Sequence, residues 1–361
     1  MWVRCANFLP MSTDALNIPA GVDDLTPSWF SQALGKSVTA VEVLDAHSGT
    51  TGRARVRLQS DGLPQTLFVK LQPFTPEQRT FLRQVGLGVA EARLYANLGS
   101  ELPVRIPRVW HSAYDTADGS FVMVLEDLVA SGCRFPSLGD DGMLDVARSA
   151  MTELALLHAT YRGVEIPWLA TPEGMRRKPD DPKTAARRTH FIRLALDQFG
   201  DEMGPAFRRL AQLYIERSSD IVGLFGEGEL TLIHGDTHSG NLFVDDGHTG
   251  FYDWAVVGRG PGMRDIAYFL CNSLATEVRR AEQDDLLARY RSALGVCGVA
   301  LDERTAADQY RLFSVYSWIA AVSTAAMGSQ WQPIEIAHAA MLLTTTAIED
   351  LGAVELLEDR L

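Results

Sequence analysis

Apolar and polar residues alternate in three runs near the front of the chain: VTAVEVLDA (38–46), RARVRLQS (53–60) and TLFVKLQP (66–73). A period of two is that of half-buried strands. The first two runs are joined by HSGTTG, rich in turn formers, and Asp61-Gly62 marks a tight turn before the third. The segment GVAEARLYANLG (88–99) has helical spacing, with Gly99 placed to end it. Two further strands are expected near RVWHSAYD and SFVMVLEDL. The pattern changes after LEDLVASG. Over 143–162, Val146, Ala150, Leu154, Leu157, His158 and Tyr161 share one helical face. Residues 165–228 are spotted with Pro and Arg and then strongly helical, 230–254 hold two short strands, and helical patterns dominate from Asp265 onward. The expected fold class is therefore α+β, with an antiparallel sheet in front and a mainly helical back. The divisions expected are a leading segment (1–37), a sheet lobe (38–126), a connector (127–132) and a helical lobe (133–361). A ligand cleft is expected between such lobes.

Composition narrows this picture. With 361 residues, 46% hydrophobic and 22% charged, the chain has the make-up of a soluble globular protein with a sizeable core. A net charge of −13 disfavours nucleic acid and anionic membrane surfaces as partners. No apolar run reaches the roughly 18 residues of a membrane span. Cys5, Cys133, Cys271 and Cys297 lie far apart without metal-like spacing, so reduced thiols and a cytoplasmic setting are expected. The N-terminal stretch reads as neither signal peptide nor anchor, and Met11 is a second candidate for the natural start.

The densest chemistry lies in LTLIHGDTHSGNLFVDDGHTGFYDW (230–254). His234, Asp236, Asn241 and Asp253 form H-x-D-x-x-x-x-N, followed twelve residues later by an aspartate on an aromatic-rich strand. Phosphoryl transfer needs a carboxylate to orient the attacking hydroxyl, and an amide oxygen plus a second carboxylate to hold Mg²⁺ on the phosphates. The order and spacing of these residues suit that task. Asp245, Asp246 and His248 are assigned to the turn between NLFV and GFYDW and carry no chemistry. His234 is expected to fix the loop through backbone bonds. His238 either lines the site or bonds locally.

The stretch HGDTHSGNLFV…FYDWAVVGRGPGMRDIAYFL resembles the signature of the aminoglycoside phosphotransferase and choline kinase superfamily. LEDL and RDIAYFL are also similar to its ecdysteroid-kinase-like branch. The resemblance implies a bilobal protein-kinase-like fold and an ATP- and Mg²⁺-dependent kinase acting on a small molecule's hydroxyl. It implies Asp236 as catalytic base, Asn241 and Asp253 as magnesium ligands, and Asp265 as a brace for the catalytic loop. The alternative for Asp265 is an N-terminal helix cap. Lys70 would contact the α- and β-phosphates, held by Glu91, with Glu77 as substitute partner. Ser48, Gly49, Thr50 and Gly52 stand where the family places its phosphate-covering loop, though SGTTGR departs from G-x-G-x-x-G and a plain hairpin fits equally. Backbone groups at Asp127 and Leu128 would meet the adenine edge. His158 is read as a packed core histidine.

The acceptor pocket is expected among the helices of 165–228 and 280–350. These carry Trp168, Phe191, Phe199, Tyr214, Tyr316, Trp318 and Trp331, most of them core. The C-terminal segment is too apolar for a polycation, which favours a less cationic acceptor than a classical aminoglycoside. Two other readings stand beside this one. A nucleotide-binding pseudokinase would lack the base or a metal ligand, and none is missing. A protein kinase would carry a long activation segment and A-P-E after Asp253.

Overall fold

Strand β2 (Gly52–Gln59) buries Ala54, Val56 and Leu58 and turns Arg53, Arg55 and Arg57 away from that core, as strict alternation requires. In the computed structural model, which describes residues 17–85, 88–169, 182–330 and 333–361, it pairs with β1 (Ala40–Ser48) and β3 (Thr66–Leu71). Cys5, Met11 and Trp331 lie outside the described residues. With β4 (Val109–Tyr114) and β5 (Phe121–Glu126) these strands form an antiparallel sheet in the order β1-β2-β3-β5-β4. Strand β5 lies inside the sheet, and Phe121 through Leu125 are all buried, so its run is continuously apolar rather than alternating.

One face of the sheet packs on α1 (Pro27–Leu34), which contributes Trp29 and Phe30 to a core with Val56, Leu67, Val69 and Val124. Each such side chain, fully buried, contributes about 1.5–3 kcal/mol. The leading segment thus holds a helix. It is set by Thr26, whose hydroxyl accepts from the Trp29 amide at 3.2 Å, with Pro27 in the first turn. Helices α2 (Pro76–Val85) and α3 (Val89–Leu98) follow β3.

The chain divides into two units. The first comprises residues up to 102, 106–133 and 253–256; the second comprises 103–105, 134–252 and 257–361. The second unit holds α4 (Met143–Thr160), α5 (Pro182–Phe199), α6 (Gly204–Leu224), α7 (Met263–Ser273), α8 (Thr276–Val296), α9 (Glu303–Ala326), α10 (Ile334–Asp350) and α11 (Ala353–Arg360). Helix α7 is buried nearly all round, from Met263 to Ser273, which makes it the centre of this unit. Two short sheets complete it. Strand β6 (Leu230–Ile233) pairs with β9 (Gly258–Pro261), and β7 (Leu242–Asp245) with β8 (His248–Phe251). Asp246 and Gly247 take φ of 49° and 82°, the two left-handed positions of a type I′ hairpin turn. Among the described residues no helix is long and apolar enough to cross a membrane.

Candidate active site

The loop between β6 and β7 carries His234 to Asn241, and its shape is set by side chain–backbone bonds. The His234 ring donates from Nε2 to the Tyr252 carbonyl at 3.0 Å, which fixes the neutral tautomer. Its Nδ1 then accepts from the Asp236 amide at 3.2 Å. Asn241, nearly buried, donates from Nδ2 to the Asp236 carbonyl at 2.9 Å and to its carboxylate at 3.0 Å. That leaves the amide oxygen of Asn241 as the atom that could serve as a ligand. His238 does both things open to it: its Nδ1 accepts from Gly240 at 3.1 Å, and its Nε2 lies 3.6 Å from the Asp236 carboxylate. Burial works to raise the Asp236 pKa, but His238 and Tyr268 outweigh it and hold the carboxyl well below its ordinary range.

Asp265 anchors this loop from α7. One carboxylate oxygen accepts from the His234 amide at 2.7 Å and the other from the Gly235 amide at 2.8 Å. The Thr237 hydroxyl donates to the Asp265 carbonyl at 2.6 Å. The helix begins at Met263 with Gly262 in the cap position, so the cap reading for Asp265 does not hold. His158 is buried as expected, yet it is also bonded. The Tyr290 hydroxyl donates to its Nδ1 at 2.9 Å, leaving Nε2–H to reach Asp265 at 3.3 Å. Only glycine fits at 262, because a Cβ there would lie 2.6 Å from the His158 ring. Burial would raise the Asp265 pKa, but His158, His234 and the Gly235 amide hold it below the ordinary value. Asp265→Ala strands these donors in the interior. We expect it to lower the unfolding free energy by about 3–5 kcal/mol, read by urea denaturation. A loss under about 1 kcal/mol would show that the loop is held by something else.

A second group of charges lies in the first unit. Lys70 and Glu91 are almost fully buried, with side chains 5% and 1% exposed, and their Nζ–Oε2 distance is 2.5 Å. Lys70 also reaches Asp253 at 2.7 Å, and Arg53, opposite Lys70 in the β2–β3 register, lies 3.6 Å from the other Asp253 oxygen. Glu77 is exposed, so the partner of Lys70 is Glu91. Burial works to lower the Lys70 pKa, but the Asp253 and Glu91 carboxylates raise it above its ordinary value. Burial pushes the Glu91 carboxyl up, against the pull of Lys70. Asp253 was expected on a strand; it lies two residues beyond β8, with φ of 60°. A non-glycine residue in that region is held there by its surroundings, here the ion pairs to Lys70 and Arg53. Among the described residues no group of three or more His, Cys, Asp or Glu could hold a metal ion.

The model of the phosphotransferase enzyme family matches residues 43–313. The chain belongs to that family. Solved structures similar to this phosphotransferase share its kinase-like fold. The choline kinase LicA from Streptococcus pneumoniae is 13% identical with a TM-score of 0.54, over 91% of this chain and 99% of its own. A choline kinase from Cryptosporidium parvum is 12% identical with a TM-score of 0.50, over 91% and 94%. The GDP complex of an aminoglycoside 2′-phosphotransferase variant is 15% identical with a TM-score of 0.50, over 90% and 95%. No curated protein matches the chain at a significant level.

Other expected site residues of this phosphotransferase are tied into its own framework. Ser48 and Gly52 close the β1–β2 hairpin, with Gly49 and Thr50 at its tip. The Ser48 hydroxyl donates to Gln78 at 2.8 Å and accepts from the Phe74 amide at 3.0 Å. Gly52 is required sterically, since a Cβ would lie 2.4 Å from the Phe74 ring. Asp127 is buried and accepts from Arg55 at 3.0 and 3.1 Å. The Asp127 and Leu128 carbonyls accept from the Ser131 and Cys133 amides, each at 3.0 Å, so the connector is a hydrogen-bonded turn. Trp318 and Tyr214 are core, whereas Trp168, Phe191, Phe199 and Tyr316 are half-buried. Sequence reasoning did not single out Tyr268, Arg264 or Tyr290. RDIAYFL showed the helix, but nothing in it showed that Tyr268 returns one turn later to Asp236.

Proposed function

We propose that this phosphotransferase moves the γ-phosphoryl group of ATP, with Mg²⁺, to a hydroxyl of a small molecule. The observation that carries the reading is the Asp236 carboxylate, kept ionised and gripped by the Asn241 amide, on a loop whose amides are bound to Asp265. In this reading Asp236 orients the acceptor hydroxyl and takes its proton. Lys70, held by Glu91, contacts the nucleotide phosphates. The Asn241 amide oxygen and the Asp253 carboxylate are hard oxygen donors of the kind Mg²⁺ takes alongside phosphate oxygens. They are too few for a resident metal, which suits an ion arriving with the nucleotide. Bound there, magnesium neutralises charge developing on the transferred phosphoryl group. Ser48, Gly49, Thr50 and Gly52 cover the phosphates with backbone N–H groups, and Asp127 and Leu128 meet the adenine.

The acceptor we propose is less cationic than an aminoglycoside, and the setting is cytoplasmic, in keeping with the thiols of Cys271 and Cys297. The deciding experiment is nucleoside diphosphate release from Mg-ATP and Mg-GTP across a panel of alcohols, amino alcohols and aminoglycosides. Magnesium-dependent release with an alcohol is expected. No release with any acceptor would favour the pseudokinase reading, and turnover confined to kanamycin-like polycations would overturn the acceptor class.

A further inference from the structure

From Asp236 a chain of contacts runs through Tyr268 to Tyr316 and Arg264 in the second unit. Tyr268, one turn beyond Asp265 on α7, brings its hydroxyl within hydrogen-bonding reach of the Asp236 carboxylate. Burial first, and then Asp236, push the Tyr268 phenol well above its ordinary value, so it stays a proton donor. Its ring lies 5.9 Å from that of Tyr316 on α9. Tyr316 interacts in turn with Tyr214 on α6, which also feels the charge of Arg188 on α5.

Arg264 closes this wall. It directly precedes the loop anchor Asp265, lays its guanidinium 3.8 Å over the Tyr316 ring, and donates to the Tyr316 hydroxyl. Its charge also acts on Tyr268. In a chain with 46 acids to 33 bases, Arg264 makes no ion pair among the described residues. Its Nε is buried without an acceptor. Arg279, by contrast, is paired with Asp350, and Arg209 with Glu355 and Glu358. A buried guanidinium donor without a partner is costly and calls for an explanation. A guanidinium held flat on an aromatic ring is suited to a carboxylate or phosphate.

We infer that the acceptor is an anionic alcohol, bearing a carboxylate or phosphate group beside its reactive hydroxyl, and that Arg264 on Tyr316 binds that group. This rests on Asp236 being the base of the proposed transfer. In the step itself the acceptor oxygen bonds to the γ-phosphorus and the bond to the β–γ bridging oxygen breaks. The hydroxyl proton passes to Asp236 and ADP leaves with the bridging oxygen. Arg264 takes no proton; it positions the anion and thereby the hydroxyl.

The test separates the anion site from turnover. With the nucleotide site saturated by Mg-AMPPNP, wild type, Arg264→Lys and Arg264→Gln are titrated with acetate, methylphosphonate and tetramethylammonium, and thermal stabilisation is followed. We expect saturable stabilisation of the wild type by at least one anion, at least a tenfold weaker response in Arg264→Gln, and a partial response in Arg264→Lys. The tighter anion names the carboxylate or the phosphate class. Equal anion binding by wild type and Arg264→Gln, stronger stabilisation by tetramethylammonium, or no anion response at all would overturn the inference. Failure of the underlying kinase reading shows separately, as absence of ADP release with any alcohol while the anion titration stands.

Discussion

Asp236→Asn is expected to fold, to bind Mg-nucleotide as the wild type does, and to lose roughly 10²–10⁴-fold in transfer rate. The substitution is nearly isosteric. An asparagine oxygen can still accept the Asn241 Nδ2 hydrogen bond, now 3.0 Å to the carboxylate. The backbone bonds of residue 236, its amide to His234 and its carbonyl from Asn241, do not involve the side chain. What disappears is the proposed proton acceptor. Because His238 and Tyr268 hold the Asp236 carboxyl well below its ordinary range against burial, the wild-type carboxylate stays ionised through the ordinary range near pH 4. The acid limb of kcat/KM should therefore not arise from Asp236 above that pH. Single-turnover kinetics and nucleotide titration of the two proteins check the first expectation, and a pH profile checks the second. Normal turnover in Asp236→Asn would refute the assignment of the base.

The parts of this arrangement legible in the sequence are those whose residues are close along the chain or lie on a regular pattern. Asp236, Asn241 and Asp253 stand at fixed offsets around one hairpin, and the Asp245-Asp246-Gly247-His248 turn could be placed from turn chemistry alone. Lys70 showed as a charge inside an apolar strand. The helix after it offered Glu91. Contacts between residues distant in sequence were not legible. Tyr290 meets His158 across 132 positions, and no local pattern marks that pair. Strand β9 is Gly-Arg-Gly-Pro, a poor strand sequence. It is extended because its backbone pairs with β6, which is tertiary context overriding propensity. The same holds for Asp253, whose left-handed backbone at φ of 60° cannot be inferred from its aromatic neighbours. Arg264 was not singled out, because only the packed structure shows Tyr316 beneath it.

Lys70→Met should have the other large effect, and it acts on stability as well as chemistry. Lys70 is the cation shared by two carboxylates, Glu91 and Asp253, and Glu91 is 1% exposed. A buried ion pair adds little net stability over an apolar replacement of the whole pair, but removing one partner leaves the other charge uncompensated. We expect a loss of about 3–5 kcal/mol at neutral pH. The loss should depend on pH in a definite direction. Burial raises the Glu91 pKa in the native protein, and Lys70 opposes that rise. Without Lys70 the native pKa climbs further above its unfolded value. A group with a raised native pKa stabilises the fold below its unfolded pKa, and that contribution fades as pH rises through the native one. The destabilisation of Lys70→Met should therefore be smallest near pH 5 and grow toward pH 8. Lys70→Met/Glu91→Gln removes the orphaned carboxylate and should recover much of the stability at pH 8. It should not recover phosphoryl transfer, because the cation proposed to contact the phosphates is still missing. Urea denaturation across that pH range reads the first pair of expectations and ADP release the last. A pH-independent loss in the single variant would mean that Glu91 is not the group left exposed to the change. Recovery of transfer in the double variant would mean that Lys70 acts only as a structural counter-ion.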